Sequence, residues 1–213
     1  MGLMTRTPQA PGSPADVAAP GRRRGRPVSL ESRHAVLTTA AGLLDERGFN
    51  GFTIDEVARR SGVSKATIYK HWAGGFDVAV DAYGDSVTSA VPVIATGDAV
   101  SDLTSQIRRL AEFYASPRGR VIAQLLAAGT GQERGAALLR EKFFAKRRAD
   151  TAALIEQGKA NGQLRADLDT DLAIDLLFGP IVFRLFNGIE PLDTDGAAAL
   201  ARMALRAIVP SPG

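Results

Sequence analysis

The chain has no cysteine, which excludes disulfides, thiolate metal sites and a cysteine nucleophile. Histidine occurs only as His34 and His71, too few for a histidine-rich metal centre. No apolar run reaches the roughly 18 residues that a helical membrane span requires. The first 25 residues also lack the apolar stretch of a signal peptide. A soluble, cytoplasmic protein with no membrane partner is therefore expected. What is present is a hydrophobic fraction of 45% in 213 residues. That is enough to bury one large core or two small ones, and it excludes global disorder.

Charge is unevenly spread. Residues 1–75 carry 11 basic and 6 acidic side chains, whereas residues 76–213 carry 15 and 17. The basic excess sits in the N-terminal third, where a polyanionic partner is the simplest physical reading. A chance fluctuation of surface charge is the alternative.

Residues 1–21 hold Pro8, Pro11, Pro14 and Pro20 with few large apolar side chains, a composition that cannot offset its ordering entropy. With the basic run Arg22-Arg23-Arg24-Gly25-Arg26-Pro27 they form a disordered arm over residues 1–27. From Val28 onward apolar residues recur at helical spacing, with no lasting strand-like alternation, so an all-α chain of about nine helices is expected. Punctuation places them near 30–47, 54–60, 65–71, 76–91, 99–115, 117–128, 133–160, 171–188 and 195–208. Thr53 with Glu56 reads as a capping box, and Ser64 and Asp98 read as N-caps. Ser116-Pro117 reads as a cap followed by first-turn proline. Asp169 or Thr170, and Asp193 or Thr194, cap the last two helices. Gly179-Pro180 is expected to kink the helix that contains it.

The informative stretch is Thr53–Trp72. With Ile54 counted first, Ala58 is fifth, Gly62 ninth and Ile68 fifteenth. Ala58 is small enough for a second helix to cross it, and Gly62 permits the positive φ of a tight turn. Val57, Val63 and Ile68 fill the crossing. This is helix-turn-helix spacing. Ser64, Lys65, Thr67, Lys70 and His71 then point away from the packed side. For any one of these residues alone a solvated helix face would suffice; the spacing, cap, glycine and basic face together carry the motif.

The segments L-L-D-E-R-G-F (43–49) and F-T-I-D-E-V-A-R-R-S-G-V-S-K-A-T-I-Y-K-H-W (52–72) resemble the TetR family of transcriptional regulators. The resemblance implies a helix-turn-helix DNA-binding domain over residues 28–75, followed by a helical ligand-binding and dimerisation domain over 76–213. It places Lys65, Ala66 and Thr67 nearest the bases, and Thr53, Tyr69 and His71 on phosphates. After the aromatic at Trp72 the family usually continues Pro-Ser-Lys-Glu. Here Ala73-Gly74-Gly75-Phe76-Asp77 stands instead, so one phosphate contact is weakened. The arm compensates: Arg24-Gly25-Arg26-Pro27 has the core of an AT-hook, in which Arg24 and Arg26 enter a narrow minor groove. The alternative is a plain phosphate-neutralising tail.

Residues 76–213 offer no catalytic constellation, cofactor motif or metal cluster, so no enzyme activity is expected. The K-F-F-A-K-R-R run (142–148) reads as a solvated helix face. The segment L-A-I-D-L-L-F-G-P-I-V-F-R-L-F-N-G (172–188) is apolar nearly all round and needs cover on several sides. With the Leu200, Met203, Ala204 and Ala207 stripe of the last helix it suggests a four-helix homodimer interface. Such a dimer would read a near-palindromic duplex site. Phe113, Tyr114, Gln124, Phe143, Phe144, Phe178 and Phe183 are the residues that would border a cavity for a small apolar or amphipathic effector, although aromatics at helical spacing are most often core. The reading is a repressor relieved by that effector. An architectural DNA-binding protein of low sequence specificity, with no ligand, is the alternative.

Overall fold

The computed structural model of the chain describes residues 30–131 and 133–211. Arg24, Arg26 and the rest of the arm lie outside the described residues. Among the described residues ten α-helices are formed: α1 (Leu30–Arg47), α2 (Ile54–Ser61), α3 (Lys65–His71), α4 (Gly75–Ala90), α5 (Ala99–Ala115), α6 (Pro117–Thr130), α7 (Glu133–Leu139), α8 (Lys146–Ala160), α9 (Thr170–Phe186) and α10 (Thr194–Ile208). A π-helical stretch, Arg140–Ala145, joins α7 to α8. The path from Glu133 to Ala160 is thus one rod with a widened middle, and the described residues form the nine rods expected.

Side-chain caps start the helices where the sequence places them. Thr53, Ser64, Asp98, Ser116, Asp169 and Asp193 each accept a backbone N–H from the third residue onward. Of the two open choices, Asp169 and Asp193 are the caps: a carboxylate accepts more strongly than a hydroxyl and sits favourably at the positive end of the helix dipole. Helix α9 continues through Pro180.

Two apolar cores meet at α4. The first collects Val36, Ala40 and Leu43 of α1, Ile54 and Val57 of α2, Ile68 and Trp72, and Val78 of α4. The second runs from Ala79, Val80 and Tyr83 of α4 through the remaining helices. Its central rod is α5, which lies against α6, α8, α9 and α10. Because successive residues of α4 belong to different cores, that helix couples the N-terminal three helices to the rest. Tyr83 donates a hydrogen bond to Asp45 of α1, and Arg118 of α6 donates to the same carboxylate at 3.1 Å.

Candidate functional site

Helix α2 begins at Thr53, whose hydroxyl accepts the Glu56 N–H at 3.3 Å. The reciprocal half of the expected capping box does not form. The Glu56 carboxylate turns to Arg59 (2.7 Å) and Arg60 (2.8 Å), with Arg47 at 3.7 Å. Charged hydrogen bonds outcompete a neutral N–H for the same oxygens. The Arg59 bond first, and the Arg60 bond next, hold the Glu56 carboxyl down to about 2.

The turn between α2 and α3 needs Gly62, which sits at φ 71° and donates its N–H to the Ala58 carbonyl. Ser64 then caps α3, accepting the Thr67 N–H at 3.2 Å and lying 2.9 Å from the Thr67 hydroxyl. Ile68 is fully buried beneath α3, which contributes roughly 1.5–3 kcal/mol toward fixing the helix. Around it Ser64, Lys65, Ala66, Tyr69, Lys70 and His71 are exposed, Thr67 is half-buried, and Thr53 is exposed at the start of α2. Lys65 lies 2.7 Å from Asp55, so the first turns of α2 and α3 are neighbours. An open basic face on a firmly packed short helix is the result.

Helix α3 is anchored at its far end by Trp72. The buried indole donates to Asp81 of α4 at 3.1 Å, and the Arg33 guanidinium lies 5.5 Å from its ring centroid. Asp81 also receives Arg33 at 2.5 Å and Lys142, from the π-helical stretch, at 3.4 Å. Burial alone would raise the Asp81 carboxyl; the indole N–H and the two cations outweigh it and hold the carboxyl below its usual value.

A second feature is a cavity of 460 Å³ between α5, the α7–α8 rod and α9. Its apolar wall includes Leu110, Phe144, Ile174, Phe178 and Val182. Its polar wall includes Tyr114, Arg140, Arg147, Arg148, Thr151 and Asp175.

Comparison with known proteins gives one answer for both halves. Residues 36–74 match the family model of bacterial regulatory proteins, tetR family, and residues 93–204 match that of the tetracyclin repressor-like C-terminal domain. An uncharacterised HTH-type transcriptional regulator of Bacillus subtilis (strain 168), YdeS, is 41% identical over 163 residues, spanning 76% of this chain and 82% of that protein. The chain belongs to the TetR family of transcriptional regulators. The crystal structure of the TetR family regulator SCO0332 superposes with a TM-score of 0.74 at 33% identity, covering 84% of this chain and all of that one. The flavonoid-responsive regulator FrrA shares the fold, with a TM-score of 0.60 at 20% identity over 85% of this chain and 98% of its own.

TetR-family regulators bind DNA and dimerise, and their C-terminal domain binds ligand. In this member Tyr114, Phe144 and Phe178 stand on the cavity wall. The other sequence-derived cavity candidates do not. Phe113 and Phe143 are buried in the main core. Gln124 instead accepts the Phe49 N–H at 2.7 Å, tying α6 to the chain after α1. Phe183 is 61% exposed on the outer side of α9. The 142–148 run is not a solvated face: Lys142 pairs with Asp81, Arg148 with Asp171 and Asp175, and Arg147 is half-buried at the cavity. Sequence reasoning missed Arg140, Arg147 and Thr151. Their signal was the spacing 140, 144, 147, 151, which puts Phe144 on one helical stripe with polar neighbours.

Proposed function

We propose that this regulator is a homodimeric repressor whose grip on an operator is released by a small molecule in the 460 Å³ cavity. The observation that carries the reading is the exposed face of α3 over a fully buried Ile68. Lys65, Ala66 and Thr67, with Ser64 at the cap, approach base edges in the major groove. Thr53, Tyr69, Lys70 and His71 meet phosphates. Lys65 exchanges Asp55 for the duplex on binding. Arg24 and Arg26 extend the contact into the adjacent minor groove. Residues 28–75 act as the DNA-binding unit and residues 76–213 as the effector and dimerisation unit, in a cytoplasmic, non-enzymatic protein.

The dimer forms through α9 and α10. Leu172, Leu176, Phe183 and Phe186 recur at helical spacing along α9 and are 42–67% exposed, and Met203 of α10 is 66% exposed. A partner copy supplies the missing cover. Two recognition helices are then held about 34–36 Å apart, matching successive major grooves of a near-palindromic site. An effector acts by favouring one spacing over the other.

Selection from a random duplex pool, followed by affinity measurement at fixed salt, tests this reading. A two-fold symmetric site bound about 10³-fold or more above random duplex is expected. A ratio near one would favour the architectural alternative.

A further inference from the structure

The charge around the cavity is unbalanced. Arg140, Arg147 and Arg148 reach its wall, against Asp175 as the lining carboxylate. Arg148 is committed to Asp175 at 2.6 Å and Asp171 at 2.8 Å. Arg147 hydrogen-bonds to neutral groups among the described residues: it donates to the Val91 carbonyl at 2.6 Å and, with the Gln106 amide turned to suit both neighbours, to the Gln106 oxygen at 2.6 Å. Burial draws its pKa below the usual guanidinium value; Tyr114 and the Asp150 carboxylate support its charge at a distance, and Arg109 opposes it. The Arg109 Nε is itself buried with no hydrogen-bond partner among the described residues. Arg140 makes no ion pair among the described residues and lies exposed at the outer edge of the same wall.

Two hydroxyl groups add to this. Tyr114 and Thr151 line the cavity, are 6% and 4% exposed, and have no side-chain hydrogen-bond partner among the described residues. Both hydroxyls face the cavity rather than a protein acceptor, and Arg147 beside them has no carboxylate within ion-pair distance among the described residues, so an entering acceptor finds donors ready for it. The rest of the wall is apolar, and 460 Å³ is room for roughly 15 water-sized groups at ~30 Å³ each.

We infer that the cavity takes an amphipathic organic anion: a carboxylate or similar head group on Arg147, within reach of Arg140 and the Tyr114 and Thr151 hydroxyls, with its apolar body against Phe144 and Phe178. This rests on the reading of the cavity as the effector site. A cation is disfavoured beside Arg140 and Arg147, and a neutral molecule forms no ion pair with either.

Two dyes sharing one ring system test it on the full-length protein. 8-Anilinonaphthalene-1-sulfonate carries one anionic group; N-phenyl-1-naphthylamine carries none. Fluorescence titration is expected to give about tenfold or more tighter binding of the sulfonate, as suits charge-assisted hydrogen bonds. Arg147→Gln and Arg140→Gln should each weaken the sulfonate several-fold and leave the neutral dye unchanged. Arg140 is exposed, so its variant keeps the test open if Arg147→Gln fails to fold. Equal binding of the two dyes, or a preference that survives both substitutions, overturns the inference while leaving the cavity as an effector site. Binding of neither dye overturns both.

Discussion

Glu56 shows what a single residue contributes to the DNA-binding unit. Its carboxylate gathers Arg47, Arg59 and Arg60 and so ties the end of α1 to both ends of α2. Its folded value of about 2 lies below the ordinary 4.5. The contribution is therefore complete above pH ~4.5 and disappears as the pH falls toward 2. Glu56→Gln should be less stable than wild type above pH 5, with the gap closing between pH 4.5 and 2 in urea titrations. A gap independent of pH would contradict the assignment. Sequence alone exposes Glu56 as a helix-start residue with Arg59 and Arg60 at the helical spacings i+3 and i+4, but not Arg47, whose approach is a matter of tertiary placement. Arg147 was hidden for the same reason: an arginine in a basic run looks solvated until a cavity opens beside it.

At the scale of elements, most of the fold was legible. Caps, glycine stops and apolar periodicity depend on neighbours within a few residues, so Thr53, Ser64, Asp98 and Ser116 announce their helices directly. The π-helical stretch was not legible. Its register is set across space, where Lys142 reaches Asp81 and Phe143 enters the core while Arg140 and Phe144 face the cavity. π-Helical insertions commonly accompany functional sites, and this one touches both the cavity and the Asp81 anchor of α3.

The α5–α6 corner shows the tolerance of such packing. A Cβ on Gly119 would lie 2.4 Å from the Tyr114 Cα and carbonyl oxygen, which are backbone atoms that no rotamer change can move. Gly119→Ala should cost about 1–3 kcal/mol by chemical denaturation, whereas a helix that merely gained alanine would be stabilised. An unchanged or raised midpoint would show that the corner has slack.

For the whole molecule, α4 and α9 are the helices on which the proposed DNA grip, effector response and dimer depend. Helix α4 contributes Val78 to one core and Ala79, Val80 and Tyr83 to the other, so a shift of the cavity wall has a packed route to α3. The face of α9 with Leu172, Leu176 and Phe183 exposes apolar side chains that a partner copy would cover under the proposed function. Its composition was readable in sequence as a helix apolar nearly all round, but which side stays uncovered required the packed bundle. Phe183→Asp should yield a folded monomer in sedimentation velocity, with operator affinity lowered about 100-fold or more as the two half-sites uncouple. A dimer that survives the substitution would place the interface elsewhere.

Under the proposed function, the exposed face of α3 is what grips the duplex. The most direct measurement is gel retardation of the selected duplex by wild type and by Lys65→Ala/Tyr69→Ala. Both side chains are exposed, so the double variant should fold and dimerise normally. It is expected to lose at least about 2 kcal/mol of binding, a thirtyfold or greater weakening, from one base-proximal and one phosphate contact per subunit. Retardation equal to wild type would contradict it.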